Sequence, residues 1–268
     1  MTWLNRVSPL MTYAVAVLIG AAALVWALAA SFGQAPRLAA GSIVLFGLFG
    51  AACTWLLNKI PYRIPVRRTT KLLAALWGAT AAAGIALLAN RAIYDHFDGR
   101  GEWSLFTPFT EEPLKDLGIV VVLLLVPAQA RTALVGLVVG SFVGLGFEVV
   151  EDVVQSMNNA LASAPPGAPD NWGSLIVDVV HEVLRRSWTG HIVLSGIAGF
   201  GIAYAMTERP ALRGWGVGAA LVLLAFGGHL LWNSHRFGLF YVLGQFGVLA
   251  AYLWLIRIGR SRERSITT

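Results

Sequence analysis

Four short polar groups interrupt the apolar runs of this chain. The first is Glu111-Glu112-Pro113-Leu114-Lys115. On a helix Glu111 and Lys115 stand at i, i+4 and Glu112 and Lys115 at i, i+3, so one ammonium serves two carboxylates. Paired carboxylates beside a cation suit acid–base work on water; a charged helix start with Pro113 in its first turn is the plain alternative. The second is Phe147-Glu148-Val149-Val150-Glu151-Asp152, in which Glu148 and Glu151 share a helical face. Asp152 reads as the point where the helix leaves the membrane, but Val149, Val150, Val153 and Val154 carry the apolar run past Glu148. The third is His191, a metal ligand or a packed, hydrogen-bonded histidine. The fourth is His229-Leu230-Leu231-Trp232-Asn233, whose His and Asn share a face at i, i+4. That pair suits a metal ligand or proton donor beside an amide that donates to an oxyanion, or else a hydrogen-bonded pair that joins helices.

Hydrophobic helices must position these groups. Of 268 residues 57% are hydrophobic and only 13% charged, against roughly 25% in an ordinary soluble domain. Mean hydropathy is +0.68. Such a chain cannot cover a water-exposed surface, which excludes a soluble enzyme, a nucleic-acid-binding domain and a disordered chain. The basic balance, +6, reads as membrane orientation and not as nucleic-acid binding. One cysteine, Cys53, excludes an intrachain disulfide and a cysteine-based metal site.

A spanning helix needs about 20 mostly apolar residues. Leu10–Ala30, Leu38–Leu57, Leu72–Asn90, Thr132–Met157, Ser187–Met206, Gly214–Ser234 and Gly238–Ile256 qualify, and Glu112–Ala130 is an eighth candidate despite its charges and Pro127. The expected fold is therefore an all-α integral membrane protein: one polytopic domain over residues 1–268, about eight transmembrane helices, both termini cytoplasmic. Ala27-Leu28-Ala29 resembles a signal-peptidase site, but the apolar run before it is longer than a secretory core, so the first helix reads as retained. With eight spans, thirteen Lys and Arg lie inside and six outside; without Glu112–Ala130 the arginines of the C-terminal tail would face outward. In the long outer loop after Asn158, the Pro-rich stretch at 164–169 should be irregular. Beyond it, Asp178, His181, Glu182 and Arg185 fall on one face of an amphipathic segment, 174–186, expected to lie on the membrane surface.

Glu112–Ala130 and Ser187–Met206 run inward and carry their polar residues first; Thr132–Met157 and Gly214–Ser234 run outward and carry theirs last. All four groups therefore share one depth, the outer third of the bilayer, where ionisable side chains usually mark a working site. Gly136, Gly140 and Gly144, with Ser195 and Gly199 on the next span, allow close helix approach. His181-Glu182-Val183-Leu184-Arg185 only begins like a zinc-peptidase HExxH, and neither a P-loop nor a G-x-S-x-G elbow is present.

The ordered set Glu111-Glu112-x-x-Lys115, Phe147-Glu148-x-x-Glu151, His191 and His229-x-x-x-Asn233 resembles the PrsW-type intramembrane proteases. Those are related to the CAAX-type prenyl proteases, which have a His where this chain has Glu151 and an Arg one place after Lys115. The likeness is thus to the PrsW branch, over about Glu111 to Asn233, with a catalytic core near residues 105–235. It implies hydrolysis of a membrane-anchored, single-span protein or peptide near the extracytoplasmic face of a bacterial-type plasma membrane, with anti-sigma-factor-type substrates. By this resemblance Glu112, with Glu111, polarises a water, and Lys115 tunes the pair. His191 and His229 bind a metal together with Glu148, zinc being the candidate, or polarise the carbonyl directly. Glu151 completes the shell or orients a histidine, and Asn233 stabilises the oxyanion. A metal-free glutamate mechanism uses the same residues. The competing classes are a proton- or cation-coupled transporter and a catalytically silent scaffold. A transport pathway calls for polar residues across the whole bilayer, whereas the inner halves of these spans are almost wholly apolar.

Overall fold

The computed structural model describes residues 4–99, 103–164, 171–186, 190–208, 210–234 and 239–267. Among these are ten α-helices and no strand: α1 (Leu4–Gln34), α2 (Pro36–Leu57), α3 (Arg68–Trp77), α4 (Ala83–His96), α5 (Pro108–Leu125), α6 (Ala133–Ala162), α7 (Trp172–Arg186), α8 (His191–Thr207), α9 (Ala211–Asn233) and α10 (Leu239–Thr267). A π-helical turn, Gly78–Ala82, joins α3 and α4 into one helix, Arg68–His96. The Pro-rich stretch at 165–169, the expected span start at Ser187, and Arg100, Arg209 and Arg236 lie outside the described residues, as do the side chains of Arg6, Arg185 and Arg186.

Among the described residues, six helices are long and apolar enough to cross a membrane: α1, α2, the joined α3–α4, α6, α9 and α10. The expected eight included two more. Of these, α5 carries Glu111, Glu112, Lys115 and Asp116 in its first half, and α8 has only 17 residues. Their boundaries also differ from expectation. α5 stops at Leu125 and not at Ala130, because Val126, next before Pro127, is extended (ψ 138°), as the clash with the proline ring favours. α8 begins at His191, so that histidine is the first residue of its helix and not the fifth.

Burial divides the helices into two kinds. Every residue of α6 from Ala133 to Glu148 is buried, and so are the first eleven of α8. A helix apolar on all sides and covered on all sides belongs at the centre of a bundle. By contrast α1, α9 and α10 turn large apolar side chains outward, among them Leu18, Trp26, Leu212, Leu223 and Phe246. That is the surface a hydrocarbon solvent calls for.

The two central helices touch backbone to backbone. A Cβ on Gly136 would strike the Gly199 carbonyl oxygen, one on Gly140 that of Ser195, and one on Gly144 that of His191. The four-residue glycine spacing thus seats the first turn of α8 directly on α6. On the other side of α6, Gly146 meets the Ala75 backbone, while Gly78 in the π-turn meets Val143 and Phe147. α6 is therefore held tightly from two sides just where its acidic residues begin. The first helix packs into the same body: the Tyr13 hydroxyl donates to the Leu73 carbonyl (2.9 Å), and Gly20 lies against the Ala81 backbone.

The segment expected on the membrane surface forms α7, which leans on α2 and α6 through buried Leu175. Ile176, Val177, Val180 and Leu184 face outward, while Asp178 and Glu182 are half-buried. At the far end of the bundle Glu263 is buried. It accepts the Arg63 amide at 2.8 Å on Oε2 and the Thr132 hydroxyl at 2.8 Å on Oε1, tying α10 to the α2–α3 loop and to the start of α6.

Candidate active site

Chain direction brings the four polar groups together. α5 and α8 begin at one end of the bundle, and α6 and α9 finish there, so Glu111, Glu112, Lys115, Glu148, Glu151, His191, His229 and Asn233 all gather at that end. Asp152, which reads in the sequence as a residue leaving the membrane, is also buried, because α6 continues to Ala162.

Lys115 is the hub and is fully buried. Its Nζ lies 2.6 Å from Glu112 Oε1, 3.7 Å from Glu111 Oε2 and 4.4 Å from the centre of the Phe147 ring, and donates to His191 Nδ1 at 2.8 Å. An ammonium has no acceptor, so His191 Nδ1 must accept, and the imidazole carries its hydrogen on Nε2. That Nε2 donates to Glu151 Oε2 at 2.8 Å. Gln155 in turn donates to Glu151 Oε1 at 2.8 Å.

The second histidine is oriented the opposite way. His229 Nδ1 donates to Glu112 Oε1 at 2.6 Å, which leaves its Nε2 as the acceptor. His229 Nε2 lies 3.7 Å from Glu111 Oε2. Glu111 is 1% exposed; its Oε1 accepts from Asn90 Nδ2 at 2.8 Å, but its Oε2 has no hydrogen-bond partner. Two acceptors therefore face each other across a gap, and only a hydrogen-bearing or cationic species satisfies both. The His191 and His229 rings meet edge to face, 4.8 Å between centres.

Glu111, His191 and His229 each bring a ligand atom within 4.8 Å of the others, and all three are buried. Two imidazoles and a carboxylate form a donor set that zinc and related metals accept. The unpartnered Oε2 of Glu111 supports that fit. The resemblance implies Glu148 as the carboxylate of this trio. In the structure Glu148 Oε2 instead accepts the Ile192 amide at 3.2 Å. It caps the start of α8, where backbone N–H groups lack helical partners, and so sits behind His191.

Asn233 also differs from expectation. Its Nδ2 donates to the Ser104 carbonyl (2.8 Å) and the Thr107 hydroxyl (3.1 Å). These contacts fasten the segment from Ser104 to Thr107 to the end of α9.

A cavity of about 670 Å³ opens beside these groups. Glu111, Glu151, His191, His229 and Asn233 line it, while Glu112, Lys115 and Glu148 lie behind its wall. The two adjacent glutamates are thus divided: Glu111 faces the cavity, and Glu112 faces the cation and the histidine that it orients. Sequence reasoning missed Asn90, Thr110 and Gln155. For Asn90 the available signal was its place as the last residue of an outward-running span, the same depth as the other groups.

A family model described as PrsW family intramembrane metalloprotease matches residues 67–256 of the chain. None of the curated proteins and none of the solved structures matches it.

Proposed function

The chain belongs to the PrsW family of intramembrane metalloproteases, and from that premise we propose that it hydrolyses a peptide bond of a single-span membrane protein or peptide in the cavity beside Glu111. The observation that carries this reading is the facing pair of acceptors, Glu111 Oε2 and His229 Nε2, at 3.7 Å in two residues that line the cavity. A water between them would give one hydrogen to each acceptor and turn its own lone pair outward. Glu111 is then the general base that takes the proton as that water attacks the scissile carbonyl. Glu112 keeps His229 in the required tautomer, as a carboxylate behind a working histidine does. Lys115 holds Glu112 in place and, through Nδ1, the ring of His191. Glu151 accepts the Nε2 hydrogen of His191 and so fixes the orientation of that ring.

Glu111, His191 and His229 would hold a metal ion, zinc being the candidate, whose chemistry is Lewis-acid activation of water and of the carbonyl. With it bound, these three would be ligands, and His191 would give up its ring hydrogen bond to Lys115 or to Glu151; without it they act as above. We place the site on the extracytoplasmic side of a bacterial-type plasma membrane, with both termini cytoplasmic and α5 and α8 completing eight spans. The inside excess of Lys and Arg supports that orientation. The exposed apolar edge of α7 suits a helix at the lipid surface at the same end. Anti-sigma-factor-type proteins fit as substrates.

The test is cleavage of a single-span substrate in proteoliposomes by the wild type, Glu111→Ala and His229→Ala. Folded variants that cleave at the wild-type rate would overturn the assignment. Metal content and chelator titration of the purified protein then decide the cofactor: full activity without bound metal removes zinc.

A further inference from the structure

We infer that Asn90, backed by Thr110, is the positioning residue that aims the Glu111 carboxylate into the cavity. The inference rests on the hydrolytic reading above, in which Glu111 meets the substrate. Asn90 lies on α4, across from the first turn of α5. Its Nδ2 donates to Glu111 Oε1 at 2.8 Å, and its Oδ1 accepts from the Thr110 hydroxyl at 2.6 Å. Thr110 is the residue next to Glu111, so the amide bridges a carboxylate and the hydroxyl beside it.

Chemistry fixes which way the amide points. Turned over, Asn90 would set its carbonyl oxygen against a carboxylate oxygen, two acceptors with no hydrogen between them. The Thr110 hydroxyl also lies 2.8 Å from the Thr107 carbonyl, so its one hydrogen serves Asn90 Oδ1, the nearer acceptor, or is shared between the two. With Oε1 held, rotation of the Glu111 carboxylate would break a buried hydrogen bond, and Oε2 keeps its place 3.7 Å from His229 Nε2. Among the described residues, every other side-chain polar contact of Glu111, with Lys115 and with His229, is made by Oε2, the oxygen proposed to work. Asn90 alone holds the carboxylate by the oxygen that does not.

The two residues separate positioning from substrate contact. Asn90 lines the cavity, but Thr110 does not. An effect at Thr110 therefore travels through Asn90 and Glu111. In the proteoliposome assay Asn90→Ala is expected to lower kcat roughly tenfold to a hundredfold, the scale of a misplaced reacting group, with KM within about twofold. Thr110→Val should lower kcat by about tenfold, and Thr110→Ser, which keeps the hydroxyl, should restore it to within about twofold. The inference is overturned if Thr110→Val keeps the wild-type kcat. It is equally overturned if the losses fall on KM, or if Thr110→Ser is as impaired as Thr110→Val. Should Asn90→Ala not fold, the Thr110 pair decides alone. Glu111→Ala in the same assay separates the two readings. If it stays active, the hydrolytic reading falls; if it is inactive while the Asn90 and Thr110 variants match the wild type, only the positioning role falls.

Discussion

Glu111 and Glu263 are both 1% exposed and stand at opposite ends of the bundle, yet their surroundings differ in kind. Glu263 accepts a backbone amide on one oxygen and a threonine hydroxyl on the other, and so closes a joint between three segments. Glu111, in the lining of a cavity, has one oxygen held by Asn90 and the other without a hydrogen-bond partner. A buried polar atom left unpaired costs about 1–3 kcal/mol, so a fold keeps one only where something other than stability requires it. Burial of charge alone does not mark a working residue. The proposed function rests instead on an unpartnered oxygen in a residue that lines a cavity, with a second acceptor facing it.

Substituting the two glutamates tests that contrast most directly. Glu111→Gln should leave the protein folded and lower peptide hydrolysis by on the order of 10²–10⁴, the range for a lost general base. Glu263→Gln should lower the thermal midpoint while activity per folded molecule stays within about twofold. Reversed outcomes in paired melting and activity measurements would dissolve the comparison. The next effect in size concerns the seating of His191. Gly140→Ala forces a methyl into the Ser195 carbonyl and should cost about 1–3 kcal/mol with part of the activity, since α8 must shift away from α6. Gly247→Ala meets nothing within 4 Å and should change neither. Equal stabilities for the two in denaturant titrations would show that the close crossing carries no weight. Asn233→Ala should have the smallest effect. If Asn233 tethers the Trp103–Phe106 turn, kcat falls by about tenfold or less, whereas loss of an oxyanion donor costs about 10²–10³. Single-turnover rates distinguish the two.

Much of the fold is legible in the sequence. Long apolar runs specify helices because hydrocarbon leaves no other partner for the backbone groups. The glycines at 136, 140 and 144 announce the contact that α6 and α8 make. Alternating helix direction likewise brings the four polar groups together, near the starts of α5 and α8, past the middle of α6 and at the end of α9. The PrsW resemblance, read from the order of those groups, agrees with the family match over residues 67–256. Less legible were the helix ends: α5 stops before Pro127, and α8 starts at His191 with Glu148 as its cap. A cap supplied by a residue 44 positions away leaves no local trace.

By itself, then, the sequence determined which segments are helical, that the charged residues are few, and at which end of the bundle the polar ones collect. Helix periodicity and hydrophobic burial are local properties, written along a single segment. Tertiary structure alone decided that Glu111 faces the cavity and Glu112 the lysine, that the two histidines take opposite tautomers, that Glu148 is a cap, and that Asn90 holds Glu111. Each of these depends on which hydrogen-bond donor meets which acceptor across different helices. Those distances are set only when the helices have packed.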